Sequence, residues 1–265
     1  MKIRSNFRLD AIILLLPSLF RHIKKKIQTI IMLYFCPGQP ESIQQKVARI
    51  QSIPMPITNI STINENRIGL WHITEPADEL LEKINLSEEE RIRYLKFSHD
   101  LRKRQWLAYH LVIQELISPL PANLHYDGYD KPFLATGSHH ISVSHAGFYA
   151  AAVCNRFARA GIDIEQIKDR ISRVADRFLN DREREQLGPV VDYDVLYIYW
   201  CGKEALYKIH GKPDVDFQND IYIRSFDYLC NTVGTCQATL YLPGGAKDFM
   251  LHYRKTDDYM MVVAS

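Results

Sequence analysis

ARAGIDIE, residues 158–165, decides how this chain is read. The apolar run after Gly161 reads as a strand, and strand side chains alternate between two faces. Asp163 and Glu165 therefore share one face, while Ile162 and Ile164 share the other. Two carboxylates that close repel each other, and burying them unpaired is costly. Two readings fit: a solvated edge strand, or an oxygen-ligand site for a divalent cation such as Mg2+, which takes one or two carboxylates together with substrate phosphates.

Working outward, LHYDGYDKPFLATGSHHISVSHAGFYAAAVC (124–154) has short apolar runs parted by Asp127-Gly128, Thr136-Gly137 and Ala146-Gly147. That is the spacing of a β-meander. Further upstream, RIGLWHITE (67–75) reads as a strand ended by Pro76. SEEERIRYLKF opens with Ser87 and has Glu90 three residues on, a capping box. RKRQWLAYHLVIQELI is a second helix, with Leu107, Leu111 and Leu116 on a buried stripe. Downstream, DRISRVADRFLNDREREQL (169–187) reads as helical. VLYIYWCGKEALYKIHG is a strong helix of roughly 15 residues, closed by Gly211 with Pro213 beyond. The tail from 215 to 265 reads as strands. This order predicts an α+β fold: two similar α+β halves packed as a pseudo-dimer, each with a small antiparallel sheet and helices, joined near 155–160. The expected domains are 55–157 and 158–265, after an N-terminal extension, 1–54.

Composition narrows the class. Of 265 residues, 46% are apolar and 24% charged, which suits a globular protein with a sizeable core. The five cysteines (36, 154, 201, 230, 236) have no CxxC or Cys/His spacing, which favours a reducing, cytoplasmic setting and argues against structural zinc. Residues 1–54 carry nine Lys/Arg and two acids, a balance of +7, and the remainder carries −5. An acidic body argues against a nucleic-acid partner. The apolar runs 11–20 and 27–36 are each about half the roughly 20 residues of a membrane helix, and Pro17 interrupts the first. The extension is expected to be peripheral, with Met55 the natural start; a weak membrane-surface anchor is the alternative.

Four further stretches bear on chemistry. In WCGKEALYK, Glu204 and Lys208 stand four apart on one helix face. They are either an ordinary surface pair or, because Trp200, Leu206 and Tyr207 imply extensive burial, partners of the strand carboxylates. In ISVSHAGF, Ser144 and His145 sit at a hairpin end, as turn residues or as donors to phosphate. In YDKPF, Lys131 before Pro132 stands in an extended turn. KFSHDLRKRQW places Lys96, Arg102, Lys103 and Arg104 around a helix start, where the plain reading is a solvated basic face.

The order of these elements resembles the 4′-phosphopantetheinyl transferases of the larger, pseudo-dimeric class. Their G-[I/V]-D-[I/V]-E strand and W-x-x-K-E-A-x-x-K helix have counterparts in Gly161–Glu165 and Trp200–Lys208, and RFLNDREREQL (177–187) resembles the segment between. The resemblance covers roughly residues 66–265. It implies transfer of the phosphopantetheine arm of coenzyme A to a serine of an apo carrier protein, releasing adenosine 3′,5′-bisphosphate. It makes Asp163, Glu165 and Glu204 the Mg2+ ligands and Lys208 a stabiliser of transition-state charge. Glu204 or Glu183 would be the base. Ser144 and His145 resemble contacts on the 3′-phosphate side of coenzyme A, as do Arg104, with a register open by a residue or so, and Lys96. Lys131-Pro132 resembles the adenine-side loop, and Lys203 a supporting residue. Both halves on one chain suggest a monomer. The rival functions are a Mg2+-dependent phosphohydrolase or nuclease and a non-catalytic carrier-protein-binding module. The acidic body and the absence of an acid-x-Lys element count against the former, and the complete acid and lysine set against the latter.

Overall fold

Two antiparallel sheets, each backed by one long helix, frame the residues that the computed structural model describes, 59–189, 192–228, 230 and 232–265. The expectations for residues 1–54 lie outside the described residues; Met55–Ser265 forms a single unit. The first sheet has the order β1-β2-β6-β5, from β1 (Asn59–Ile63), β2 (Asn66–His72), β5 (His140–Ala146) and β6 (Tyr149–Asn155). Between β2 and β5 run α1 (Ala77–Glu82), α2 (Glu88–Leu95), α3 (Asp100–Ile117) and a ribbon of β3 (Leu124–Tyr126) and β4 (Pro132–Leu134). The second sheet has the order β7-β11-β10-β9-β8, from β7 (Gly161–Gln166), β8 (Ile221–Ile223), β9 (Val233–Leu242), β10 (Gly245–Lys255) and β11 (Tyr259–Ala264). Its helices are a 3-10 helix (Asp169–Arg177), α4 (Asp181–Leu187) and α5 (Tyr193–His210). The fold is thus mixed α and β with antiparallel sheets, as an α+β reading requires.

Helix α3 buries Trp106, Val112 and Leu116 against Trp71 and Ala152 of the first sheet. Helix α5 buries Leu196, Ala205 and Leu206 with Met260 and Val262 of the second. A third cluster joins the sheets: Ile68, Leu70 and Val153 from one, Ile162, Ile164 and Val263 from the other. Where β5 meets the edge of β7, serines replace a ladder. Ser142 Oγ accepts a hydrogen bond from Ile162 N, and Ser144 Oγ one from Ile164 N, each at 3.2 Å. An edge strand's free N–H groups are thereby satisfied inside the protein.

The two sets of helices repeat one design. Helices α3 and α5 both have 18 residues, and their first residues, Asp100 and Tyr193, stand 93 positions apart. At the same spacing lie two capping boxes, Ser87 with Glu90 and Asn180 with Glu183. Glu90 Oε1 accepts from Leu124 N at 3.0 Å, and Glu183 Oε1 from Ile223 N at 2.9 Å.

One expectation fails locally. Residues 169–187 are not one helix: the 3-10 helix stops at Arg177, and Asn180 caps α4 by accepting from Glu183 N. A side-chain acceptor that competes with the backbone starts a new helix rather than prolonging the old one. Among the described residues, no helix is long and apolar enough to cross a membrane.

His110 on α3 is buried, with Nδ1 donating to Trp106 O at 2.8 Å and Nε2 3.6 Å from Glu90 Oε1, beyond hydrogen-bond reach. Burial, with Arg93 adding to it, pushes its pKa from 6.5 down to about 3 against the opposing bond to Trp106. The unfolded chain takes up a proton below 6.5 that the folded chain refuses, so this stability is lost as pH falls from 6.5 toward 3. Chemical unfolding across that range is expected to show a shallower pH slope for His110→Gln than for the parent.

Candidate active site

The alternation of β7 is realised in space. Ile162 and Ile164 enter the core between the sheets, and Asp163 and Glu165 face α5. Gly161 sets the distance: a Cβ there would run into the carbonyl oxygen of Ala205, so only glycine lets the helix come this close.

Asp163 is buried. Its Oδ1 accepts from Lys208 Nζ at 2.6 Å and from Ser144 Oγ at 2.8 Å. Lys208 Nζ also donates to Ile162 O at 3.0 Å. Lys208 thus pairs across the elements, with Asp163, rather than along the helix with Glu204. Glu165 is half-buried and accepts from Trp200 Nε1 at 3.2 Å. Burial and then the Asp163 charge raise its pKa, against opposing pulls from Trp200, Lys208 and Arg170. Glu204, one turn before Lys208, is pushed up to about 7 by burial and by Asp163, with Glu165 adding and Lys208 opposing. Three carboxylates therefore load one region, in which Lys208 is bonded to Asp163.

As they stand, these carboxylates do not draw together around a common point: among the described residues, no group of three His, Cys, Asp or Glu side chains could hold a metal ion. The donor set still suits one. Asp163 Oδ2 is buried with no hydrogen-bond partner, and the three side chains offer only oxygen, the preference of a hard divalent cation.

The other expected residues divide. Lys131, Pro132 and Lys208 line one cleft of about 360 Å³, together with Ser142, Tyr207 and Lys212. His145 lies in β5 with its ring half-buried, and burial followed by the Arg102 and Lys208 charges lowers its pKa to about 4. The arginine bonded to its Nε2 is Arg102. Arg104 instead donates to Ile73 O at 3.3 Å and lies over the ring of Phe148. Lys96 is exposed and lines a different groove, with Arg93, Phe97 and Tyr126. Ser144 is committed to Asp163 and Ile164 N, which makes it a support for the carboxylate.

Glu183, the other candidate base, is buried with both carboxylate oxygens bonded. Its carboxylate is 0% exposed, and Oε2 accepts from Lys203 Nζ at 2.6 Å and from Asn180 N at 3.1 Å. Lys203, also 0% exposed, donates as well to Phe178 O, Phe217 O and Ile221 O. Sequence spacing could not reveal this pair, because the two residues, 20 positions apart, meet only in the folded core. The choice of Arg102 over Arg104 depends likewise on how the first turn of α3 faces β5.

Residues 159–259 match the sequence model of the 4′-phosphopantetheinyl transferase superfamily. The match runs from β7 through β10 and includes Asp163, Glu165, Glu204 and Lys208. Over that segment it bears out the resemblance carried by the strand and helix motifs. No curated protein matches the chain.

A buried ion pair broken on one side leaves an uncompensated charge. Lys203→Met is expected to lower the unfolding free energy by about 3–5 kcal/mol in urea titrations, and adding Glu183→Gln is expected to recover part of that loss.

Proposed function

We propose that this protein transfers the 4′-phosphopantetheine group of coenzyme A to a serine hydroxyl of an apo carrier protein and releases adenosine 3′,5′-bisphosphate. The observation that carries this reading is the bond of Lys208 on α5 to Asp163 on β7, with the Glu204 and Glu165 charges acting on the same region, inside the segment that matches the superfamily. The two halves are read as a pseudo-dimer; the capping boxes and long helices repeated at a spacing of 93 support it.

Asp163, Glu165 and Glu204 would hold a divalent cation, Mg2+, and Asp163 Oδ2 has the lone pairs to spare for it. When bound, that ion supplies positive charge to the diphosphate oxygens. The chain's own residues do the rest. The cleft beside Lys208 and Lys212 receives the phosphate-bearing donor, with His145 near the end of β5 and Arg102 of α3 on its 3′-phosphate side. The serine oxygen attacks the β-phosphorus, a new P–O bond forms, and the bond to the bridging oxygen of the adenosine bisphosphate breaks. Glu204 takes the hydroxyl proton, since both oxygens of Glu183 are occupied. Lys208, at the edge of the cleft, stabilises the negative charge that builds on the phosphoryl oxygens.

Intact mass of a panel of apo carrier proteins, incubated with the protein, coenzyme A and Mg2+, tests the reading. Gain of one phosphopantetheine on at least one carrier is expected, and no gain on any would overturn it. Cleavage of nucleic acid under the same conditions would point to the phosphohydrolase instead. Asp163→Asn, which keeps the shape and a hydrogen-bond acceptor for Lys208 and Ser144, is expected to abolish transfer without unfolding the protein. Lys208→Ala is expected to lower kcat by about a hundredfold with little change in KM for coenzyme A. Loss confined to KM would make that lysine a substrate-positioning group.

A further inference from the structure

Lys131 reaches across the cleft to the end of α5. Its Nζ donates to the backbone oxygen of Lys208 at 2.6 Å. That oxygen lies in the last helical turn, where carbonyls lack partners within the helix and a cation is favoured. Two independent features prepare the contact. Gly211 ends α5 with φ 77°, and a Cβ at that position would stand 2.7 Å from Lys131 Nζ, so glycine leaves the ammonium its path. The loop that carries Lys131 is itself held: Asp127 Oδ1 accepts from Tyr129 N at 2.9 Å and from Lys131 N at 3.0 Å, and Asp130 pairs with Arg93 on α2.

We propose that Lys131 is a positioning residue: it clamps the last turn of α5 from the other half and so holds Lys208 in its bond to Asp163. This assigns it a task other than contact with the adenine side of the donor, and it rests on the transfer reading above. The same residue, Lys208, offers its backbone oxygen to the clamp and its ammonium to the carboxylate. A turn that frays at its backbone also loses the aim of its side chain.

Lys131→Met keeps the aliphatic stem and removes the charge. It is expected to speed hydrogen exchange of the amides in 205–215 and to lower kcat about tenfold, the value of one charge-assisted hydrogen bond, with KM for coenzyme A nearly unchanged. Lys131→Arg, which keeps a cationic donor, is expected to restore both. Unchanged exchange in 205–215, or a loss confined to KM, would overturn the clamp. Faster exchange in a protein whose parent transfers nothing would uphold the clamp and defeat the transfer reading, so the two failures can be told apart.

Discussion

One carboxylate oxygen, Asp163 Oδ1, ties three elements together. Ser144 of β5 and Lys208 of α5 both donate to it, and the strand that bears it closes the edge of the second sheet. A buried carboxylate in an apolar fold is destabilising unless charge and hydrogen bonds offset its lost hydration. Here the offset comes from Ser144 of β5 and Lys208 of α5, and Ser144 also accepts from Ile164 N. The seam between the sheets and the chemistry of the site thus depend on the same few atoms. Oδ2, buried and without a partner, is left over from that arrangement and is the atom with unused capacity.

Among the described residues, the carboxylate pair lies under one long helix and not under the other. A strand glycine lies under a helix twice: Gly69 beneath Val112 and Leu116, Gly161 beneath Ala205 and Ile209. Val112 and Ala205 stand 93 apart, as do Leu116 and Ile209. Two and four residues beyond Gly69, on the face toward the helix, come Trp71 and Ile73, both buried in the core under α3. The same steps from Gly161 lead to Asp163 and Glu165. Under α3 these positions carry apolar side chains; under α5 they carry charge. The buried glutamates show a milder version of the contrast: Glu90 faces a neutral His110, whereas Glu183 faces Lys203.

What could be read in the sequence was what depends on short spacing. The Ser87–Glu90 capping box, the shared face of Asp163 and Glu165, and the end of α5 at Gly211 each need only a period or a dihedral preference. The burial of Glu183 did not yield to that approach. Its capping box with Asn180 is as local as the first, but its ion pair with Lys203 forms only in the folded core. The choice among Arg102, Lys103 and Arg104 needs the rotation of α3 on its sheet, which no window of a few residues fixes. Lys131 was visible as a residue before proline, yet the group it reaches lies 77 positions away.

Helix α5 shows how one element serves stability and chemistry at once. Lys203 and Glu204 are adjacent, so their side chains leave the helix about 100° apart. Lys203 points inward and is held by Glu183 and three backbone oxygens. That fixes the rotation of the helix, and with it the direction of Glu204 and, one turn later, Lys208. A lysine buried at the preceding position destabilises less than its charge alone would suggest, because every donor of its ammonium is satisfied. With Leu196, Ala205, Leu206 and Ile209 buried in the core and Lys203 pinned within, the rotation of α5 carries Glu204 and Lys208, four apart, on one helix face. Preorganisation of charge in a half-buried setting then follows from packing that the core already requires.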